Sequence, residues 1–587
     1  MTPVPITLAR RAAVSELEQS SADGQIGAGS GGPSSSVGAE APRLTRFESV
    51  LYLPDCPDNG ATAGEPDFFH DLHLDQIVAA ITAGKTDYDL KPFFQSPLSS
   101  VEAVHYRQEV MRDIQNDAVM ECLTAFAEDM REMRRQLAQG DKLYYKQQKE
   151  RWFLAAVESY CGTIGRMAQA LPRLRLSSRG LQGLREYLID YAESQPFTAL
   201  AGAAGRLRDD LAAIRYCVLV TDGGFKVRRY ECEHDYSAEV EATFQKFQQG
   251  AVRDYRVKFP VTPDMSHIEA KILEFVAQLY PEVFSALGQF CTTNRNYASP
   301  VVTRFDREIQ FYISYSEFMR GFRHAGLGFC FPAMSDTVKE VFDDEGFDAS
   351  LAIKLIQEKS PVVCNDFRLS GAERIFVVSG PNQGGKTTFA RTFGQLHYLA
   401  SIGCPVPGRR AQLFLFDRMF AHFEREEDLH NLRGKLQDDL FRIHEILARA
   451  TPRSIIVMNE IFTSTTLQDA VFLAREVMQR IIDLDLLCVF VTFLDELASL
   501  SEKTVSMVST VVPNDPAVRT FKVIRRPADG QAYAISIAEK YRVTYNCLLA
   551  RIPIDGLQTQ QQEPVCHENP LDVPGRRPGH IEVADGA

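Results

Sequence analysis

Directly after Ser379 comes Gly380-Pro381-Asn382-Gln383-Gly384-Gly385-Lys386-Thr387-Thr388, which fits the spacing G-x-x-x-x-G-K-[ST]. Glycines at this spacing let successive backbone N–H groups converge on phosphate oxygens. A lysine next to them reaches the β and γ phosphates, and the following hydroxyl can ligate Mg²⁺. The apolar run Ile375-Phe376-Val377-Val378 reads as a buried strand before the loop, and a helix-prone run follows it. The motif requires that context, because the N-terminus of a helix adds its positive dipole to the phosphate site. Residues 380–388 are therefore the candidate nucleotide-binding segment, with ATP and Mg²⁺ as its expected cofactors. A second apolar run, Ser454 to Met458, ends in Asn459-Glu460. In nucleotide hydrolases the residue after such a strand holds the water shell of Mg²⁺, and the next Glu polarises the attacking water. Asn459 is a neutral acceptor there and can bind the metal only through water, which leaves Thr387 as the direct candidate ligand. Glu460 is the candidate general base. Lys386 and Glu460 are the candidate catalytic pair.

Three regions surround these residues. From 1 to 46 the chain is rich in Gly, Ser and Ala and reads as a disordered leader, and 556–587 reads as a disordered tail. Residues 47–340 read as largely helical, with apolar residues three and four apart, as in Val101, Val104, Tyr106, Val110, Met111 and Ile114. Further helical segments are expected over Leu143–Gln169, Leu181–Ala192, Ala238–Phe247 and Ile268–Phe290. Tyr216 to Tyr230 interrupts them as a hairpin about Asp222-Gly223-Gly224, with Lys226, Arg228 and Arg229 on its second strand. These cations fit either the solvated face of a hairpin or a nucleic-acid contact. The basic and aromatic segment Lys142 to Phe153, which holds Trp152, reads first as a packed helix face. His70 and His73 invite a metal reading but lack a third ligand. From 341 to 555 strands alternate with helices, the grammar of a layered α/β domain. The expected fold class is thus α + α/β.

Composition narrows the partners. The 64 Lys+Arg are outnumbered by 77 Asp+Glu, for a net charge of −13, which argues against a passive nucleic-acid coat. Any such contact must be a local basic patch. The 12 cysteines are spread singly from Cys56 to Cys566, without the close pairs of a metal knuckle, and no apolar run suffices to span a membrane. A cytoplasmic protein without membrane association is expected.

The loop SGPNQGGKTTF resembles the TGPNMGGKST loop of the MutS family of DNA mismatch-repair ATPases. The similarity continues through Cys364-Asn365-Asp366, Asp417-Arg418-Met419-Phe420, Glu427-Asp428-Leu429, Ile446-Leu447, Ala450-Thr451, Asn459-Glu460-Ile461 and the stretch from Gly530 through Tyr533-Ala534-Ile535 to Ile552. More faintly, DLHLDQIV from Asp71 and the segment from Phe93 resemble the start of that family's helical core and lever region. The resemblance implies an ABC-type P-loop ATPase domain that works as a homodimer, with helical levers passing the nucleotide state to DNA. Several positions depart from it. The family's Asp-Glu is Asn459-Glu460, its Gly-Arg-Gly-Thr-Ser is Phe462 to Thr466, its cross-dimer Ser-Thr is Gly434-Lys435, and a histidine is replaced by Phe493. These changes imply secure ATP binding with slow or differently gated hydrolysis. Ahead of the levers stands only the leader, and Phe47-Glu48 does not supply the family's Phe-x-Glu reading element. Structured or branched DNA, handled in repair or recombination, is therefore expected ahead of a mispaired base. The alternative is a nucleotide-controlled protein-interaction switch, or an ATP sensor without hydrolysis.

Overall fold

The computed structural model describes residues 47–54, 64–221, 224–231, 265–424, 434–513, 515–528 and 541–551, together with positions 239 and 538. The expected leader and tail, the helix Ala238–Phe247 apart from Glu239, the turn residues Asp222-Gly223, the stretch Glu427-Asp428-Leu429 and residues 530–537 lie outside the described residues.

In the helical region, several helices start where a short polar side chain can accept a free N–H of the first turn. Ser100 accepts from Ala103 ahead of Val101–Ile114, Asn116 from Ala118 ahead of Asp117–Lys142, and Ser178 from Leu181 ahead of Arg179–Glu193. Ser266 and Glu269 form a reciprocal capping box on His267–Leu279. Two expected helices are interrupted. The basic and aromatic segment breaks at Leu143 to Tyr145, so Lys146–Ala170 is a new helix. Trp152 on it is half-buried while Lys146 and Lys149 are exposed, as a packed face requires. The segment Ile268–Phe290 splits at Tyr280-Pro281, because proline cannot donate to the preceding turn; it opens the next helix, Pro281–Thr293.

On the helix Pro300–His324, Phe305, Ile309, Phe311, Tyr312, Tyr315 and Met319 are all buried, and from Phe305 to Tyr315 no residue is exposed. Its buried Glu308 accepts from Ser49 Oγ at 2.8 Å and Val50 N at 2.9 Å. Tyr312 donates to Val50 O, Tyr106 to Ser49 O, and Arg107 Nε to Leu51 O. The segment Phe47–Tyr52 is thus held by side chains, which satisfy its buried backbone groups.

The expected hairpin forms from β1 (Tyr216–Thr221) and β2 (Gly224–Arg229), paired from Tyr216↔Arg229 to Thr221↔Gly224. Phe225 packs on Phe275 of the helix His267–Leu279, and Arg229 Nη2 donates at 2.6 Å to Leu279 O at the end of that helix. Lys226 and Arg228 are exposed.

Short strands follow: β3 (Phe329–Cys330), β4 (Ala333–Ser335), β5 (Val341–Gly346) and β6 (Asn365–Leu369). Next come β7 (Ile375–Ser379), β8 (Val406–Pro407), β9 (Arg410–Phe414), β10 (Met419–Phe423), β11 (Ile455–Asn459), β12 (Leu487–Val491), β13 (Thr504–Val512) and β14 (Asp515–Arg525). Six of them form one sheet in the order β10-β11-β12-β7-β13-β14, parallel except for β14. Covered on both faces, the central strands read as continuous apolar runs, IFVVS, IIVMN and LCVFV. Phe376, Val378, Ile455, Val457, Val489 and Val491 face the helix Lys386–Ser401 and share its core with Leu72, Val104 and Tyr312 of the helical region. Ile375, Val377, Ile456, Met458 and Phe490 face Leu467–Leu484 on the other side. One hydrophobic core therefore runs from the helical region into the first face of the sheet.

A second sheet, β4-β9-β5-β6, buries Asp343 completely, and neither carboxyl oxygen has a hydrogen-bond partner among the described residues. The carboxyl fills space that side chains at Gly346 and Gly408 would otherwise take. Burial, reinforced by Asp344 and Asp366, pushes its pKa from 3.8 to about 9. A carboxyl raised in the fold holds a proton that the unfolded chain releases, so stability falls as pH rises from about 4 to about 9. Urea denaturation at several pH values is expected to show this slope in the wild type and a flatter one in Asp343→Asn.

Candidate functional site

The glycine-rich loop joins β7 to the helix Lys386–Ser401, as its context requires. Gly380 has φ +109 and Gly385 φ +94, values that glycine adopts without strain. A Cβ at Gly384 would lie 2.6 Å from Ser509 Oγ and 2.9 Å from Pro381 O. Ser509, on β13, therefore supports the loop from beneath and leaves no room for a side chain. Gly385 is the N-cap and offers no capping side chain, so the first turn is not closed by a group of its own.

Lys386 is only 4% exposed. Its Nζ donates to Gly380 O at 3.0 Å, Pro381 O at 3.3 Å and Asn382 Oδ1 at 3.2 Å, and lies 3.9 Å from Glu460 Oε1. Burial lowers its pKa, against the opposing pull of Glu460. Thr387 Oγ1 donates to Asn459 Oδ1 at 2.9 Å. Parallel pairing of β11 with β12 carries Asn459 to the same end of the sheet as the loop, and Glu460 N donates to Val491 O at 2.9 Å. Glu460 and Phe462 both adopt positive φ, +53 and +61, in the turn that follows. Such strain in residues other than glycine persists where the surroundings hold a side chain in place. Burial raises the Glu460 pKa, Lys386 opposes this, and Glu424 adds to it.

Lys386, Thr387, Asn459 and Glu460 thus converge around the loop. Residues Gln383 to Thr388 line a cleft of about 230 Å³ with Glu460, Leu351 and Phe521. Neither Leu351 nor Phe521 carries a sequence signal for this position. Phe521 stands on β14 with φ +58 and is held by Asn365, whose Nδ2 donates to Phe521 O at 3.2 Å while its Oδ1 accepts from Val523 N at 2.8 Å. Larger clefts of about 550 and 850 Å³ lie elsewhere and contain no residue of the loop.

The departures from the resembled motif also have places. Gly434 is the N-cap of the helix Lys435–Arg449, and Lys435 forms an ion pair with Glu424 of its own chain. Glu424 also accepts from Thr463 Oγ1 at 3.2 Å. Phe493 lies with its ring over Lys386 Nζ, 4.5 Å from the centroid.

Over residues 376–550 the chain matches the family model described as MutS domain V. Over this third of its length the chain is similar to MutS-family proteins. It is 31% identical over 192 residues to the DNA mismatch repair protein MutS of Orientia tsutsugamushi (strain Ikeda), covering 32% of this chain and 22% of that one. To the protein of the same description in Chlorobaculum tepidum it is 29% identical over 216 residues, 36% of this chain and 24% of the relative. A similar match, 29% over 192 residues, joins it to MutS of Shouchella clausii, 32% of this chain and 22% of the other. The chain thus aligns with less than a quarter of the length of these curated relatives. Every residue of the glycine-rich loop, Asn459 and Glu460 falls within the MutS domain V match.

The remaining candidates stay outside the cleft. His70 is exposed, 3.8 Å from Asp75, whereas His73 lies between two short helices with φ +56 and meets Ser350 Oγ at 3.2 Å. Among the described residues no group of three or more His, Cys, Asp or Glu is placed to hold a metal. Among the described residues, Cys404 and Cys488 are buried free thiols. Among the described residues no helix is long and apolar enough to cross a membrane.

Proposed function

We propose that the chain binds and slowly hydrolyses ATP at residues 380–388, and that its helical region couples this site to structured or branched DNA in repair or recombination. The convergence of Lys386, Thr387, Asn459 and Glu460 on a loop similar to that of MutS domain V carries the reading. In this view 341–555 is an ABC-type P-loop ATPase domain, 47–340 is its lever region, and two copies pair through the ATPase domains.

The residues present fit the ligand. Gly384 leaves a cradle that a Cβ would fill, and the helix N-terminus lacks a cap of its own. The oxygens of Thr387 and Asn459 suit a hard cation, with Asn459 acting through water. Mg²⁺ held there would neutralise charge on the outer phosphates. Backbone N–H groups of the loop bind the inner phosphates, and Lys386 offers its ammonium to phosphate oxygen. Glu460, its carboxylate made more basic by burial, accepts the proton of the attacking water.

Gel shifts on duplex, mismatched and junction DNA, with and without ATP, test the DNA coupling. ATP-dependent binding to junctions is expected, weakening with salt as counterion release loses its drive; binding to none of the three would end the DNA reading. The second reading, a nucleotide-controlled protein-interaction switch, gains weight from Arg229, which is engaged in capping a helix. Charge reversal at the exposed Lys226 and Arg228 separates the two. Loss of DNA binding supports the first reading, and loss of a protein partner with DNA binding intact supports the second.

A further inference from the structure

Lys386 is closely surrounded by described residues. Three oxygens of its own loop accept from it, Glu460 stands at 3.9 Å, and the ring of Phe493 covers it at 4.5 Å. With 4% of its surface exposed, its ammonium cannot meet an incoming phosphate unless one of these groups yields. The backbone oxygens of Gly380 and Pro381 are constrained by the positive φ of Gly380 and by Ser509 packed against Gly380 and Gly384. Phe493 is different. It follows β12, whose last hydrogen bond in this direction is Thr492 N to Val378 O, and its side chain is 50% exposed. It can rotate into solvent about χ1 without opening the core.

A half-exposed phenylalanine over a lysine ammonium forgoes much of the stabilisation that burial gives. Here its π face offsets part of the desolvation of a buried ammonium. We propose that Phe493 is a gate on the outer-phosphate side of the site, so that the resting protein discriminates against a nucleoside triphosphate relative to the diphosphate. The inner phosphates are met by backbone N–H groups of the loop, which the ring does not touch. The terminal phosphate needs the lysine face that the ring occupies, so a triphosphate must displace the ring and a diphosphate need not. Phe493 is in this sense a specificity-determining residue, and the gate rests on the nucleotide reading above.

Calorimetric titration of the full chain with Mg·ATP and with Mg·ADP tests it. For Phe493→Ala, ATP affinity is expected to rise about 2- to 30-fold, the loss of a cation–π contact of about 0.5–2 kcal/mol, while ADP affinity is unchanged. Phe493→Leu, which keeps the bulk and loses the quadrupole, should move in the same direction. Phe493→Tyr, which keeps the ring face, should behave as wild type. An unchanged ATP affinity in Phe493→Ala, or equal shifts for both nucleotides, overturns the gate and leaves nucleotide binding intact. Binding of neither nucleotide to wild type or to any variant overturns the nucleotide reading and the gate together.

Discussion

Glu460→Gln is expected to slow single-turnover phosphate release by about 10²–10⁴-fold, the usual contribution of a positioned general base, with ATP still bound. The amide keeps the shape of the side chain and the backbone bond from Glu460 N to Val491 O, and removes the capacity to accept a proton together with the charge 3.9 Å from Lys386 Nζ. The pH dependence supplies a second check. The base works as carboxylate, so the rate falls as pH drops through its pKa. Burial raises that pKa above the ordinary 4.5, and the acid limb of the wild-type profile should lie above that value. Lys386→Ala, by contrast, should abolish ATP binding itself. If Glu460→Gln leaves basal release unchanged, the chain is an ATP sensor and not a hydrolase.

The second large effect concerns the fold that carries the site. Arg107→Ala is expected to destabilise the protein by about 3–5 kcal/mol, because it leaves buried carbonyls without donors and opens a cavity. Arg107 is fully buried. Its Nε donates to Leu51 O and its Nη1 to Ile402 O, both at 3.0 Å, and its guanidinium lies 5.1 Å from the Tyr52 ring and 5.2 Å from that of Phe311. The neighbouring Gly403 is required by the same packing, since a Cβ there would lie 2.6 Å from Arg107 Cβ. One side chain thus joins the segment 47–52, the helix Val101–Ile114 and the residue just past the C-terminal end of Lys386–Ser401. Urea denaturation of both proteins measures the difference. Arg107→Lys should recover only part of it, since an ammonium cannot reproduce the planar fork that reaches two carbonyls. A loss below about 1 kcal/mol, within the range of ordinary surface substitutions and small repacking, would show that the junction is not held by this residue.

The same stretch of helix is tied to the helical region at other points. Arg391 Nε donates to Asp71 O, Gln395 Nε2 to Leu72 O, and Tyr398 OH to Phe94 O. None of these pairings is legible in the sequence. Each joins positions some 300 residues apart, and no local spacing specifies which polar side chain will meet which carbonyl. The faint resemblance of the segments from Asp71 and Phe93 to a helical core pointed to the right part of the chain, but not to the contacts.

What the sequence alone determined is what depends on near neighbours. The glycine pattern, the apolar strand before it and the helix after it are local, and so are the hairpin at Tyr216 to Tyr230 and the alternation of strands and helices beyond Ser360. Even there, the helix expected over Ile268–Phe290 broke at Pro281, whose missing N–H is a local signal that apolar periodicity had masked. Asn459 and Glu460 were recognisable because they follow a buried strand. The tertiary structure alone decided their partners. Parallel pairing of β11, β12, β7 and β13 sets Thr387 against Asn459, Ser509 under Gly384 and Phe493 over Lys386. It also decided that Arg229 caps a helix while Lys226 and Arg228 face outward. The reason is physical. Strand order and register are fixed by burying whole apolar faces at once, so the polar groups at the strand ends inherit neighbours from packing that their own residue types do not encode.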